Sequence, residues 1–226
     1  MTSAPTGRAR RGPVLAATGI GGTALLGISL STKPGSPRFY ILTMGLAGTW
    51  AAGALSSGPL PLRRPGGRRD AFLVTGPVLT GAAAFGLFYG AARLARHIPP
   101  LNRAIGTVLG YADCGSMPLV LLTASANAVA EELFFHGALW PATQQSHPIT
   151  TTTLAYAATT RNPALILAGI ATSVLFGFQR YTSGGILAPA LSHVTWSLLM
   201  LTCLPPLYRT PSGRPGSSGT DRRVAE

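Results

Sequence analysis

The chain has 226 residues, of which 46% are hydrophobic and only 11% charged. Soluble domains run near 25% charged, so this composition argues against a water-soluble globular domain and for an integral membrane protein. The formal charge of +12 would suggest nucleic acid in a soluble chain. Here the arginines stand between apolar runs, where they anchor helix ends and meet anionic headgroups, and no aromatic–basic interleaving of the single-strand-binding kind occurs. The expected partner is the lipid bilayer, not nucleic acid.

Several apolar runs approach or exceed the 18 residues that signal a spanning helix. The expected fold is all-α, a polytopic transmembrane helical bundle of about six or seven membrane segments, with no separate soluble domain. Residues 1–12 form a basic N-terminal tail carrying Arg8, Arg10 and Arg11. Val14–Leu30 follows as the first span. A signal peptide has this shape too, but Ile28-Ser29-Leu30-Ser31 offers no clean cleavage site and further spans follow. Its glycines Gly19, Gly21, Gly22 and Gly27 suit close helix contacts.

Phe39–Leu55 is the second span and 56–70 a Pro/Gly/Arg loop. Ala71–Ala92 is the third span, where Ala82, Gly86 and Gly90 would let a neighbouring backbone approach. Arg93–Gly115 reads as an interfacial connector with a short helix over Leu101–Tyr111. The fourth span runs from Met117 to Trp140, closed by Pro141. Pro148–Thr160 is Thr-rich and short for a span, which suits a re-entrant or tilted half-helix. Ala164–Phe178 is the sixth segment, with Gly169, Ser173 and Gly177 in register. Arg180–Gly185 reads as a turn. Ile186–Leu204 is the last span, and 205–226 is expected to be disordered.

The 18 Lys and Arg residues give a topological expectation. With the N-terminus placed in the cytoplasm and all seven segments crossing, 8 of them fall inside and 10 outside, against the positive-inside rule. If 148–160 enters and leaves on one side, 12 fall inside and 6 outside. The charge pattern therefore predicts that 148–160 does not cross. Cys114 and Cys203 are too far apart for a metal pair or a disulfide framework and read as small buried hydrophobes.

The chemistry concentrates in Glu131-Glu132-x-x-x-His136-Gly137, inside the fourth span. A charged side chain at the centre of a membrane helix costs roughly 2.5–3.5 kcal/mol, and helix packing needs no glutamate pair there. On an α-helix Glu131 and Glu132 point about 100° apart. His136 shares the face of Glu132, and Asn127 lies one turn before Glu131. From the last span His193 and Ser197, one turn apart, face the same way. Polar groups at membrane depth converge inside the bundle. A carboxylate beside an imidazole can hold and deprotonate water, and in a dry site such groups act strongly. A lone intramembrane histidine often makes only a helix–helix hydrogen bond, with a coupling of about 0.6 kcal/mol, and a glutamate pair can also serve as a proton or cation relay. Glu132, His136 and His193 could together supply three ligands of an open zinc site. A serine scheme would need Ser183 and His193, about 15 Å apart on one helical segment. An aspartyl scheme lacks its second aspartate, and a transporter would show internal repeats, which are absent.

These residues resemble the CPBP family, which comprises the type II CAAX prenyl proteases and the bacteriocin-processing or Abi membrane proteins. Glu131-Glu132-x-x-x-His136-Gly137 is similar to that family's Glu-Glu-x-x-x-Arg-Gly motif. Tyr181-Thr182-Ser183-Gly184-Gly185-Ile186-Leu187-Ala188-Pro189, ending at His193, is similar to its Thr-Gly-x-(Ile/Leu)-x-Ala-Pro-x-x-x-His segment. The resemblance covers residues 115–200 of a single transmembrane domain, 13–204. It implies a glutamate-dependent intramembrane endopeptidase acting on a membrane-associated polypeptide. Glu131 would be the water-activating base, Glu132 the second acidic position, and His193 the group that orients water or forms the oxyanion site. The family's arginine is His136 here. Its Phe-x-x-x-His motif matches Tyr156–Thr160, with Thr160 in the histidine's place, and its last polar position is Ser197. These substitutions leave a second class of function open, a non-catalytic relative acting in partner binding or immunity. Abundant Ala, Gly, Arg and Pro suggest a GC-rich bacterial genome, hence a bacterial plasma membrane.

Overall fold

The computed structural model describes residues 6–62, 72–143 and 147–208. They are helical throughout, with no strand among the described residues. In chain order come α1 (Thr6–Ser29), α2 (Pro37–Ser56), α3 (Phe72–Ala95), α4 (Pro99–Asp113) and α5 (Met117–Glu131). A π-helical segment (Glu132–Leu139) and a last turn, α6 (Trp140–Ala142), prolong α5. Then follow α7 (Pro148–Ala157), α8 (Pro163–Ser183), α9 (Leu187–Cys203) and α10 (Pro205–Tyr208). Five helices are long and apolar enough to span a bilayer, and α9 is a shorter apolar one.

Local chemistry sets the ends. Ser36 caps α2, its Oγ accepting the amide of Phe39 at 3.2 Å, with Pro37 at the first helical position, where a missing N–H costs nothing. Asn162 caps α8 in the same way, its Oδ1 accepting from Ala164 and Leu165. α8 stops at Gly184, whose φ of 68° is the left-handed conformation that glycine adopts without steric cost. The residues 180–183, expected in a turn, are thus the last turn of α8.

The surface is that of a membrane protein. Ile20 of α1, Ile41 of α2, Leu79 and Leu87 of α3, Leu122 of α5 and Leu167 of α8 all stand exposed. Apolar side chains spread along every long helix have no role in water but match hydrocarbon. The interior is a small aromatic cluster in which Trp50 packs on Phe134 and Phe135, with ring centroids 4.7 and 5.3 Å apart.

Close approaches use some of the expected glycines. The Trp50 ring lies directly over Gly22, where no Cβ would fit, and Gly53 receives Thr18. Gly19 and Gly27, and on α3 Gly86 and Gly90, have nothing within 4 Å and do not mediate contacts between the described helices. On α3 that part belongs to Gly81, which receives the Ser192 carbonyl of α9. The reason is rotational. The glycines of α1 and α3 are spread over several faces, and only those turned to a neighbour are used.

The contacts of 148–162 run along the bundle from one end toward the other. α7 starts beside the end of α5, since Ile149 and Trp140 meet at Gly177. It runs antiparallel to α8, pairing Thr153 with Ser173 and Tyr156 with Gly169. The chain leaves at Asn162, whose Nδ2 donates to Ala104 of α4, at the end of the bundle where α5 begins. Ten helical residues rise about 15 Å, and 158–162 continue in a less compact form, at up to about 3.3 Å per residue. Threonines make this affordable in an apolar setting. Thr159 Oγ1 donates to Tyr156 O and Thr160 Oγ1 accepts from Asn162 N. The helix is half-length, as the composition implied.

Two smaller expectations also change. Cys114 and Cys203 are free and exposed, because each sits at a helix end rather than on an inward face. Residues 205–208 of the tail form a helical turn, on which Tyr208 donates to Ala92 O at 2.9 Å. Residues 1–5 and 209–226 lie outside the described residues.

Candidate active site

The acidic pair sits where α5 changes its winding. Past Glu131 the backbone forms a π-helix, in which each carbonyl bonds the amide five residues ahead, as Phe135 O does with Trp140 N. In this pattern His136 O requires the amide of residue 141. That residue is Pro141, which has none. Arg180 replaces it, its Nε donating to His136 O at 2.9 Å while its guanidinium lies 5.8 Å from the centre of the Trp140 ring. Wide turns of this kind are frequent at functional sites.

Glu132 is enclosed, its side chain 3% exposed. Its Oε2 meets Nδ1 of His136 at 2.6 Å and its Oε1 meets Nδ1 of His193 at 2.9 Å. A carboxylate only accepts, so both rings carry hydrogen on Nδ1. In the neutral His193 ring the Nε2 lone pair is then left free, and Nε2 stands 4.0 Å from Glu131 Oε2. Glu131 is the more open of the two acids, at 15%. The hydroxyl of Tyr156 donates to the same Oε2 at 2.5 Å.

His193 is held from several sides. Its ring faces Phe176 of α8 with centroids 4.9 Å apart. Its neighbour Ser192 is fully buried, donating to Pro77 O of α3 and accepting from Gln179 Nε2 of α8, both at 2.8 Å. α9 is thereby tied to α3 and α8 one residue from the imidazole. An apolar cleft of about 690 Å³ opens beside the site between α1, α2, the π-helix and α7, lined among others by Trp50, Phe135 and Ala155.

The structure therefore brings together Glu131, Glu132, His136 and His193. It does not bring in the other three expected residues. Asn127 faces α2, its Nδ2 donating to Thr43 O and Thr123 O. Thr160 is past the end of α7 and serves the turn at Asn162. Ser197 is half-buried, one turn beyond His193, and makes no hydrogen bond to the four-residue group. Glu132, His136 and His193, the possible zinc ligands, bond one another instead. Both oxygens of Glu132 are filled by ring N–H donors, and among the described residues no group of three or more His, Cys, Asp or Glu is arranged to hold an ion.

Two residues escaped the sequence reading. Tyr156 had a signal, a hydroxyl where the family motif carries phenylalanine. Arg180 had a weaker one, a lone cation at the end of a long apolar run.

Residues 113–199 match the family model described as type II CAAX prenyl endopeptidase Rce1-like. No curated protein and no solved structure matches the chain. The matched span holds both acids, both imidazoles and the tyrosine. Over this region the chain is similar to the Rce1-like type II CAAX prenyl endopeptidases, a protease family.

Proposed function

We propose that this protein is an intramembrane endopeptidase that hydrolyses a peptide bond of a membrane-associated polypeptide with a water activated by Glu131. The observation that carries the reading is the 4.0 Å gap between Glu131 Oε2 and His193 Nε2. Two acceptors at that separation can each take a hydrogen bond of about 2.8 Å from one water. Glu131 takes the proton as the water oxygen attacks the scissile carbonyl. Glu132 does not react. It fixes the tautomer and orientation of His193 from behind and shares that task with His136. The proton on Glu131 then passes to the leaving amine. The neighbouring apolar cleft suits a hydrocarbon or apolar peptide segment of the substrate, and the membrane is taken to be a bacterial plasma membrane.

The test is cleavage of quenched membrane peptides by the purified full chain in lipid vesicles. Glu131→Gln keeps the shape and removes the base, so kcat falls about 10²-fold or more. A wild type that cuts none of a broad panel, yet retains specific partner binding, points instead to a non-catalytic relative.

A further inference from the structure

The family motif places a histidine four residues after an aromatic, and here that position is Thr160, which is engaged elsewhere. The group that does reach Glu131 from α7 is the hydroxyl of Tyr156. We infer that Tyr156 is a positioning residue of this site, holding the Glu131 carboxylate turned toward His193 in place of the missing imidazole. The assignment rests on the hydrolase reading of Glu131.

Four independent features hold the tyrosine in that role. Its hydroxyl bonds the Glu131 oxygen that faces His193, Oε2, so one hydrogen bond fixes the rotamer that matters. Its ring is clamped edge-on by Phe135, with centroids 5.0 Å apart. On its other side α8 has removed a side chain. A Cβ at Gly169 would lie 2.7 Å from Cδ1 and 2.8 Å from Cε1 of Tyr156, closer than atoms can stand, so the glycine clears the ring's place. Its backbone is tied down as well, for Thr159 Oγ1 donates to Tyr156 O at 2.7 Å. A tyrosine needed only for packing requires no partner for its oxygen, and phenylalanine would fill the same space. Here the oxygen ends on the single carboxylate that the mechanism uses.

Tyr156→Phe removes that oxygen alone. If Tyr156 positions the base, kcat falls about tenfold or more while KM stays within about twofold, the pattern of an interaction spent on the reaction rather than on substrate binding. Gly169→Ala, which leaves every polar group in place but displaces the ring, lowers kcat in the same direction. Wild-type kcat in Tyr156→Phe overturns the assignment, and if Glu131→Gln is still inactive the hydrolase reading stands. A wild type inert on all peptides overturns the hydrolase reading and, with it, the tyrosine's part in hydrolysis. The contact itself is read without activity, from melting temperatures of Tyr156→Phe, Glu131→Gln and the double variant. Non-additive shifts support the hydroxyl–carboxylate bond, and additive shifts overturn it.

Discussion

Arg180 of α8 donates to the carbonyl of His136, supplying the hydrogen that Pro141 cannot. The proline ends the helical bonding pattern one turn after the acidic pair, and a cation from a neighbouring helix repairs it. The repair joins α8 to the π-helix at the level of His136 and so fixes the winding that points Glu132 inward.

This relationship predicts a rescue. Arg180→Met leaves a buried carbonyl without a partner, which costs about 1–3 kcal/mol, and the loss of the contact with the Trp140 ring adds to it. Pro141→Ala restores an amide at the position the π-helical pattern requires. The double variant is therefore expected to recover a large part of the stability lost in Arg180→Met, as measured by thermal unfolding in detergent. A double variant that melts lower than either single change would refute the repair.

Glu132 is bound at both oxygens, and glutamine cannot reproduce that. Its amide offers one acceptor oxygen, so one of the two Nδ1–H groups of His136 and His193 loses its acceptor. Hydrogen bonds to charged groups contribute about 1.5–3 kcal/mol. Glu132→Gln is expected to lower stability by an amount in that range and to reduce kcat, whereas Glu131→Gln reduces kcat with a smaller effect on unfolding. Equal stability effects in the two variants would contradict the division of labour between the acids.

The helical hairpin of α1 and α2 offers a paired comparison. Gly22→Ala places a methyl group inside the Trp50 ring position, and overpacking of this kind costs about 1–3 kcal/mol. Gly27→Ala on the same helix meets nothing within 4 Å, and alanine favours a helix by up to about 1 kcal/mol over glycine. The first variant is expected to melt below the wild type and the second at or above it. Matching losses in both would show that the Trp50 contact is not what distinguishes them.

Much of this was legible because membrane physics leaves large signatures. The spans announced themselves by length, and the glutamate pair by the cost of burying it. His193 was legible as a polar group at the same depth on another helix. Less legible was anything that depends on winding or on partners distant in sequence. The helical reading put Asn127 with the acids because one turn separates it from Glu131, and only the docked α2 shows its amide engaged by Thr43 O. Thr160 was chosen by alignment to a motif, yet α7 ends three residues earlier and the tyrosine four positions back does the reaching. The three small residues Gly169, Ser173 and Gly177 were visible as a stripe. That the stripe receives Tyr156, Thr153 and Ile149 in turn required the helices to be docked.

The last prediction concerns topology, where charge counting and contacts disagree. Cys114 ends α4, and Gly35, in the α1–α2 connection, packs against its carbonyl. Cys203 ends α9, and α10, which follows it, returns to α3 through the Tyr208 hydrogen bond to Ala92. α3 and α9 run parallel, for Pro77 meets Ser192 near their starts and Ala92 meets Tyr208 near their ends. Both cysteines therefore emerge at one end of the bundle, and this requires the segment between α6 and α8 to cross. A membrane-impermeant maleimide is expected to label single-cysteine variants at both positions from the same side, either in intact cells or in inverted vesicles. Labelling of Cys114 and Cys203 from opposite sides would restore the re-entrant reading of 148–160. It would also move Tyr156 away from the depth at which Glu131 lies, so the same measurement bears on the architecture of the site.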